Sequence, residues 1–226
     1  MALFEYPKSA VFGRVLPKNK IYEHSNPNTK VKDLFVKQVE RIVWAYKLSP
    51  ETINLASSPL APEIQIFQID LKTGEIHEDV LRCIDKAIPF PLVFELHYNN
   101  KQKLISAFKR PPNNSDSVGN KWVLESYFDG KWLGKDEPKK MLPQSLDLGN
   151  LYEQILKSLM PLEMISSETN YTLEQQVEKI DQIKALQKEI DRLEVKFNKE
   201  KQPNFQFEIN KQLKLKKSEL SNLISR

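Results

Sequence analysis

The segment "EIQIFQIDLK", residues 63–72, decides the fold because its apolar side chains fall on both faces of a β-strand. One face carries Ile64 and Ile66, and the other carries Phe67, Ile69 and Leu71. A strand that is apolar on both faces is covered on both sides, so this segment is predicted to be a central strand of a sheet. Gly74 ends it.

Helices are predicted before and after this strand. The segment "NTKVKDLFVKQVERIVWAYKL", residues 28–48, has apolar residues at helical spacing and begins with Asn28 or Thr29 as its N-cap. The segment "EDVLRCIDKAI", residues 78–88, is a shorter amphipathic helix that Pro89 terminates. A further helix is predicted over "LGNLYEQILKSLMPL", residues 148–162.

Two β-hairpins are predicted between the last two helices. Residues 91–98 and 103–110 are joined by a short turn at 99–101, and residues 121–128 and 131–133 are joined by Asp129-Gly130. The proline-started polar segment 111–120 between them is predicted to be a surface loop. Together these elements predict an α/β domain, with a mixed α+β sheet, over residues 1–165.

The remaining residues, 166–226, are predicted to form a helical arm after a linker at 163–172. From Leu173 to Phe197, apolar residues recur every three or four positions with charges between them, as in a coiled coil. Pro203 interrupts this pattern, and proline is tolerated only in the first turn of a helix. We therefore expect a turn at 201–204 and an antiparallel helical hairpin, although the same stripe also suits a homodimer.

Composition and charge restrict the class of protein. The chain is 40% apolar and 28% charged, its single cysteine is Cys83, and no segment approaches the length of a membrane helix. These properties are typical of a folded cytoplasmic protein that does not enter the membrane. The net charge of +4 is small, but residues 171–226 hold 12 Lys and Arg against nine Asp and Glu.

No residue set by itself predicts catalysis, and no Cys or His stands at metal-ligand spacing with another. One pattern, Pro50-Glu51 followed by Asp70-Leu71-Lys72, loosely resembles the carboxylate and lysine signature of restriction-type nucleases. In such a site Glu51 and Asp70 would hold Mg²⁺, the one cofactor that any pattern in the sequence suggests, while Lys72 would steady the attacked phosphate. Glu51 stands where that signature has Asp, and no strand is predicted before it.

The end of the arm holds the other candidate residues. Phe205 and Phe207 follow the turn, and residues two apart cannot face one seam. Either one of them plugs the tip and the other contacts a partner, or both wrap around the turn. Lys211 and Lys214 join them as candidate partner-binding residues. Lys211, Lys214, Lys216 and Lys217 are also the candidate nucleic-acid-binding residues.

Four segments, taken in order, resemble a family of bacterial proteins of this size. They are "LFVKQVERIVWAYKLSPETINL" (34–55), "EIQIFQIDL" (63–71), "LRCIDKAIPFPLVFEL" (81–96) and "EKQPNFQFEINKQLK" (200–214). The resemblance implies genes that lie beside DNA methyltransferases and helicases in restriction-like defence loci, and it implies no catalytic residue. We therefore expect a non-enzymatic adaptor subunit of a DNA-modification, restriction or phage-defence assembly. A Mg²⁺-dependent nuclease and a stand-alone DNA-binding module are the alternatives.

Overall fold

The computed structural model describes residues 3–112, 122–160 and 171–224. The chain divides into two compact units, Met1–Met160 and Pro161–Arg226, which are described separately below. The domain boundary predicted at 165/166 and most of the predicted linker lie outside the described residues. So does most of the predicted surface loop at 111–120.

The first unit is built on a seven-stranded sheet. Six strands form its continuous path, in the order β2-β3-β4-β5-β6-β7, and β8 pairs with β6. Their bounds are β2 Val11–Val15, β3 Val39–Leu48, β4 Ile64–Leu71, β5 Leu92–Tyr98, β6 Lys101–Arg110, β7 Val123–Asp129 and β8 Leu133–Gly134. Two short parallel strands, β1 (Phe4–Glu5) and β9 (Lys140–Met141), form a separate pair.

Helices are interspersed among the strands and continue after them. In the first unit they are α1 (Lys18–Ser25), α2 (Thr29–Gln38), α3 (Pro50–Ile53), α4 (Glu78–Ala87) and α5 (Leu148–Leu159). The second unit holds α6 (Leu173–Lys199) and α7 (Pro203–Ile224). This mixed α+β architecture with a C-terminal helix pair confirms the predicted fold class. None of the described helices combines the length and apolar character that a bilayer crossing requires.

Strand β4 lies inside the sheet, as its sequence predicts. It pairs antiparallel with β3 and parallel with β5, and Phe67, Ile69 and Leu71 pack into a core with the apolar sides of α1, α2 and α4. Helix α4 is the crossover that makes the parallel pairing possible. As a result, the carboxyl ends of β4 and β5 meet at the same edge of the sheet.

The helix predicted over residues 28–48 is wrong in its second half. Helix α2 is capped by Asn28, whose Oδ1 accepts the amide proton of Val31, but it ends at Gln38, and residues 39–48 form strand β3. The apolar residues of 39–48 fit both a helical and an alternating pattern, and its Val, Ile, Trp and Tyr content favours a strand. Pairing with β4 selects the strand over the helix, because β3 supplies hydrogen-bond partners for the backbone groups along the otherwise unpaired edge of β4.

Only the first predicted hairpin is confirmed. Strands β5 and β6 are joined by Asn99 and Asn100, both in the left-handed conformation with φ of 45° and 59°. The second prediction is wrong, because β8 does not fold back on β7. Strand β7 pairs with the end of β6, and β8 pairs with its beginning at Lys101 and Gln102. The ten-residue β6 is longer than β7, and its uncovered part accepts β8.

A buried ion pair fastens α4 to the sheet. Lys109 of β6 is 3% exposed, and its Nζ donates to the backbone oxygens of Asp85 and Ile88 at the end of α4. The same ammonium group lies 3.4 Å from Asp85 Oδ1, and the Tyr127 hydroxyl donates to Asp85 Oδ2. Burial raises the pKa of Asp85, while Lys109 and Tyr127 act in the opposite direction. Lys109 therefore both neutralises a buried carboxylate and caps a helix.

We expect Lys109→Met to lower the free energy of unfolding by about 3–5 kcal/mol, because it leaves Asp85 buried without its counter-charge. The matched control is Lys103→Met on the same strand, whose ion pair with Asp129 is partly exposed and contributes less than about 1 kcal/mol. Urea denaturation followed by circular dichroism measures both. Equal losses in the two variants would contradict the assigned role of Lys109.

Candidate functional site

The second unit is an antiparallel hairpin whose turn is closed by polar groups. Oε1 of Glu200 accepts the backbone amides of Lys201 and Gln202, each at 2.9 Å, and the Gln206 side chain donates to the Glu200 backbone oxygen at 2.7 Å. Pro203 is the first residue of α7, where its missing amide proton is not needed. The predicted turn and second helix are confirmed, with the turn closed before Pro203.

The two helices of this hairpin pack against each other within one chain. Ile190 of α6 is buried together with Ile209 and Leu213 of α7, and Leu193, Phe197 and Leu220 pack around them. Their spacing of three and four residues places Ile209 and Leu213 on one stripe of α7. The hairpin therefore has a defined inner face.

Phe205 and Phe207 both lie outside this core. Their exposed fractions are 58% and 70%, so the prediction that one of them plugs the tip is wrong. The turn is instead closed by hydrogen bonds of Glu200 and Gln206. The larger part of each phenylalanine ring is exposed and outside the core of the hairpin.

The candidate partner-binding residues do not all share one face. Phe207, Lys211 and Lys214 follow each other at spacings of four and three, so they form one stripe on α7, and all three are exposed. That stripe lies opposite Ile209 and Leu213. Phe205 is two residues before Phe207 and therefore points to another side of the helix. We call Phe207, Lys211 and Lys214 the tip stripe.

The four candidate nucleic-acid lysines are divided by their ion pairs. Lys216 lies 3.1 Å from Glu219 and 3.3 Å from Glu189, and Lys217 lies 2.7 Å from Glu194. The hydrogen bonds to Glu219 and Glu189 raise the pKa of Lys216. Lys211 and Lys214 have no ion pair within the part of the chain that the structure describes. The basic excess of α7 is thus partly neutralised by α6.

The structure does not assemble the nuclease set that the sequence suggested. Glu51 lies in α3, immediately after β3, where Leu48 pairs with Ile64 at the start of β4. Asp70 lies at the other end of β4, about 20 Å away along the strand. Ser49 donates to the Glu51 carboxylate at 2.6 Å, and this hydrogen bond lowers the pKa of Glu51. Glu51 therefore belongs to the first turn of helix α3 and is not a partner of Asp70.

Asp70 and Lys72 instead line a cavity of about 460 Å³ at the carboxyl ends of β4 and β5. This edge cavity also contains Glu40 and His97, which adds a second carboxylate and an imidazole. Lys101 and Lys135 contribute two further cations. Lys72 Nζ donates to the Val36 backbone oxygen at 2.8 Å, at the end of α2. The lining is polar and of mixed charge.

His97 lines the edge cavity and stands between the carboxylates of Asp70 and Glu95, of which only Asp70 lines the cavity. Its Nε2 lies 2.8 Å from Glu95 Oε1, which also accepts from Lys139 Nζ at 3.3 Å, and its Nδ1 lies 3.7 Å from Asp70 Oδ1. Burial raises the pKa of Glu95, but the contacts with His97 and Lys139 outweigh burial and bring that pKa below its usual value. Asp70 Oδ1 also accepts from Gln68 Nε2 at 2.8 Å.

No group of three or more His, Cys, Asp and Glu side chains among the described residues is arranged to hold a metal ion. The nearest approach in the edge cavity is the pair of Asp70 and His97. The edge cavity thus places Asp70 and Lys72 beside residues that the nuclease signature does not include.

Glu40 and His97 are the site residues that sequence reasoning missed. The long predicted helix puts Glu40 in its interior, and the sequence alone shows His97 only as a neighbour of Glu95. The order of elements could have found His97. Asp70 and His97 stand at the ends of two strands that are separated by one helix, and such strands usually pair in parallel with their carboxyl ends side by side. Glu40 required the correct assignment of β3.

The fold and the two surfaces define a mixed α+β domain that carries a helical hairpin arm. The chain belongs to the family described as "Domain of unknown function (DUF4391)", whose profile matches residues 4–220. The match spans both units. No curated protein and no solved structure matches this chain.

The exposure of the two tip phenylalanines leads to a prediction about stability. Phe205→Ala and Phe207→Ala should each change the stability of the hairpin by less than about 0.5 kcal/mol, because neither ring is buried. Ile209→Ala, the matched core control on the same helix, should cost about 2 kcal/mol or more. Hydrogen exchange of the α7 amides measures the local effect. Faster exchange in Phe207→Ala, equal to that of Ile209→Ala, would assign the ring to the fold.

Proposed function

We propose that this protein is a non-enzymatic accessory subunit that docks on a larger DNA-modifying or DNA-translocating protein through its helical hairpin. The observation that carries the proposal is the exposure of Phe205 and Phe207 beside a turn that closes without them. The partner is a DNA methyltransferase or helicase subunit of a restriction or phage-defence assembly. The compartment is the cytoplasm, where such assemblies meet DNA.

Aromatic side chains at a helical tip are effective anchors for a protein partner. A phenylalanine covers about 150–250 Å² when it is buried, and its few torsion angles make it inexpensive to order. Burial of a large apolar side chain contributes about 1.5–3 kcal/mol. Interfaces concentrate their free energy in a few such residues near the centre of the contact. Two phenylalanines on different sides of one tip suit insertion into a groove that contacts both.

The charges of the tip stripe indicate the chemistry of that groove. Lys211 and Lys214 follow Phe207 on the same face and carry no counter-charge within the described residues. An apolar pocket with an acidic rim complements this arrangement. The paired state of Lys216 and Lys217 supports protein docking over DNA binding by the isolated subunit, because it leaves fewer cations for phosphates.

The sequence resemblance supports the setting of the proposal. Its four matching segments include the tip itself, residues 200–214, so the tip belongs to the resemblance from which we expect genes beside methyltransferases and helicases. A docking role for the protein in such an assembly requires a surface that binds a large partner. The hairpin provides an exposed anchor for that contact.

We expect tagged full-length protein, purified from its own host at modest salt, to bring a methyltransferase or helicase in stoichiometric amount. Phe207→Ala should weaken this complex at least tenfold, because it removes the anchor that lies with Lys211 and Lys214. Val195→Ala, which trims an exposed apolar side chain of α6, is the matched control and should leave the complex intact. Quantitative mass spectrometry of the co-purified proteins measures both.

Two results would overturn the proposal. Removal of residues 171–226 without any loss of the complex would place the interface outside the hairpin. Elution of wild type as a homodimer that Phe207→Ala dissociates would show that the tip binds a second copy of this chain.

DNA binding by the isolated subunit gives an independent prediction. If Lys211 and Lys214 are the only lysines of α7 free to contact phosphates, log affinity should fall by about 1.8 per log unit of salt, against about 3.6 for all four. Fluorescence anisotropy with a labelled duplex between 50 and 200 mM salt, about the range over which such slopes are measured, gives this value. A slope near the larger value would favour a stand-alone DNA-binding module.

A further inference from the structure

The edge cavity is lined by two kinds of polar side chain. The first kind serves the fold: an imidazolium ring of His97 pairs with Asp70 on one side and with the buried carboxylate of Glu95 on the other. The second kind makes no side-chain hydrogen bond or ion pair with another described residue, and it consists of Glu40, Lys101, Gln102 and Lys135. We call these four residues the unpaired set.

Gln102 is the buried member of the unpaired set. It is 4% exposed, and its Oε1 accepts no hydrogen bond within the described ranges. An exposed lysine or glutamate is solvated by water, whereas a buried amide oxygen without a donor is costly. The terminal torsion of a glutamine side chain is broad and roughly two-fold, so either amide atom can turn toward the edge cavity. Gln102 therefore points to a ligand that supplies a hydrogen-bond donor.

The charges of the unpaired set are separated along the sheet. Glu40 belongs to β3 and Lys101 to β6, which is three strand spacings away. Adjacent strands lie about 4.8 Å apart, so the two backbones are separated by about 14 Å. Lys135 lies near Lys101, because β8 pairs with the beginning of β6 and the Lys135 amide donates to the Asn100 backbone oxygen at 2.9 Å. The edge cavity therefore has an acidic end at β3 and a basic end at β6.

A ligand that complements this arrangement has an anionic group at one end and hydrogen-bond donors along the rest of its length. A free amino acid is too short to reach both ends, because its ammonium and carboxylate groups share one carbon atom. A mononucleotide is longer, and its phosphate suits a pair of lysines. Its sugar hydroxyl groups can donate to Gln102, and an exocyclic amino group on its base can donate to Glu40. The edge cavity, of about 460 Å³, falls in the size range of small-ligand sites.

We propose that the edge cavity binds a mononucleotide whose base carries an exocyclic amino group. Lys101 and Lys135 bind the phosphate. Gln102 binds the sugar hydroxyl groups, and Glu40 accepts from the amino group of the base. A nucleic-acid strand suits the edge cavity less well, because its further phosphates would meet the carboxylates of Glu40 and Asp70. The site lies in the first unit and is independent of docking through the hairpin, so the failure of either proposal leaves the other in place.

Two pairs of nucleotides that differ at the amino group test the proposal on the full-length protein. Cytidine and adenosine monophosphate carry the amino group, whereas uridine and inosine monophosphate carry a carbonyl oxygen in its place. Calorimetric titration should show at least tenfold tighter binding of the amino member in at least one pair, because the carbonyl oxygen meets the Glu40 carboxylate and is repelled. Equal affinities within both pairs, or no binding of either amino member, overturn the proposal.

Variants test the two ends of the edge cavity separately. Glu40→Gln should abolish the preference for the amino group, because an amide can both donate and accept. The double variant Lys101→Ala/Lys135→Ala should bind the nucleotide at least tenfold more weakly and keep its affinity for the nucleoside without phosphate. The matched control, Lys30→Ala/Lys86→Ala, removes two exposed lysines that do not line the edge cavity and should change neither affinity. An equal loss in both double variants, or an unchanged preference in Glu40→Gln, overturns the assignment.

The role of Gln102 and the length of the ligand are tested in the same titration. Gln102→Leu, which removes the unpaired amide, should lower nucleotide affinity at least tenfold without lowering the thermal midpoint of unfolding. Unchanged nucleotide affinity in this variant overturns the role of Gln102. A single-stranded oligomer of the same nucleotide should compete no better than the mononucleotide. Displacement of the mononucleotide by a lower concentration of the oligomer overturns the choice of a mononucleotide.

Discussion

The parallel pairing of β4 with β5 is the constraint on which the first unit depends. Parallel neighbours require a crossover, and α4 supplies it by burying Val80, Leu81 and Ile84 against the sheet. The crossover places both strands' carboxyl ends at one edge. Asp70 and His97 meet in the edge cavity because they occupy matching positions at those ends. The buried contact between Lys109 and the end of α4 fixes the crossover helix in place.

In the hairpin, in contrast to the first unit, the exposed candidate residues are not positioned by the contacts that hold the fold together. Its turn is closed by hydrogen bonds of Glu200 and Gln206, and its core by Ile190, Ile209 and Leu213. The tip stripe contributes to neither. Folding of the hairpin therefore does not restrict the identity of the tip-stripe residues, which can instead suit a partner. The residues of the edge cavity, in contrast, are held in place by the sheet.

The sequence predicts these features unequally, for physical reasons. The central position of β4, the Asn99-Asn100 turn and the helical arm depend on local chemistry: apolar side chains on both faces, residues that tolerate positive φ, and a proline at a helix start. Strand β3 resembles a helix in sequence because its apolar residues satisfy two periods, and only pairing with β4 selects one. Because the sequence assigns residues 39–48 to a helix, it does not predict Glu40 as a site residue, and it predicts no strand before Glu51. The mutual approach of Asp70 and His97 depends on strand register, which a single sequence does not specify.

The separation of Glu51 from Asp70 changes the meaning of the nuclease signature. A motif is a statement about residues at a spacing, but its chemistry requires that the side chains meet. Strand β4 separates Asp70 from Glu51 and brings Asp70 beside His97. Asp70 therefore lies in a polar cavity although it does not take part in a nuclease site. An adaptor needs no such cavity in order to dock through its hairpin. The edge cavity, which Asp70 and His97 both line, is therefore a feature of the first unit that docking through the hairpin does not explain.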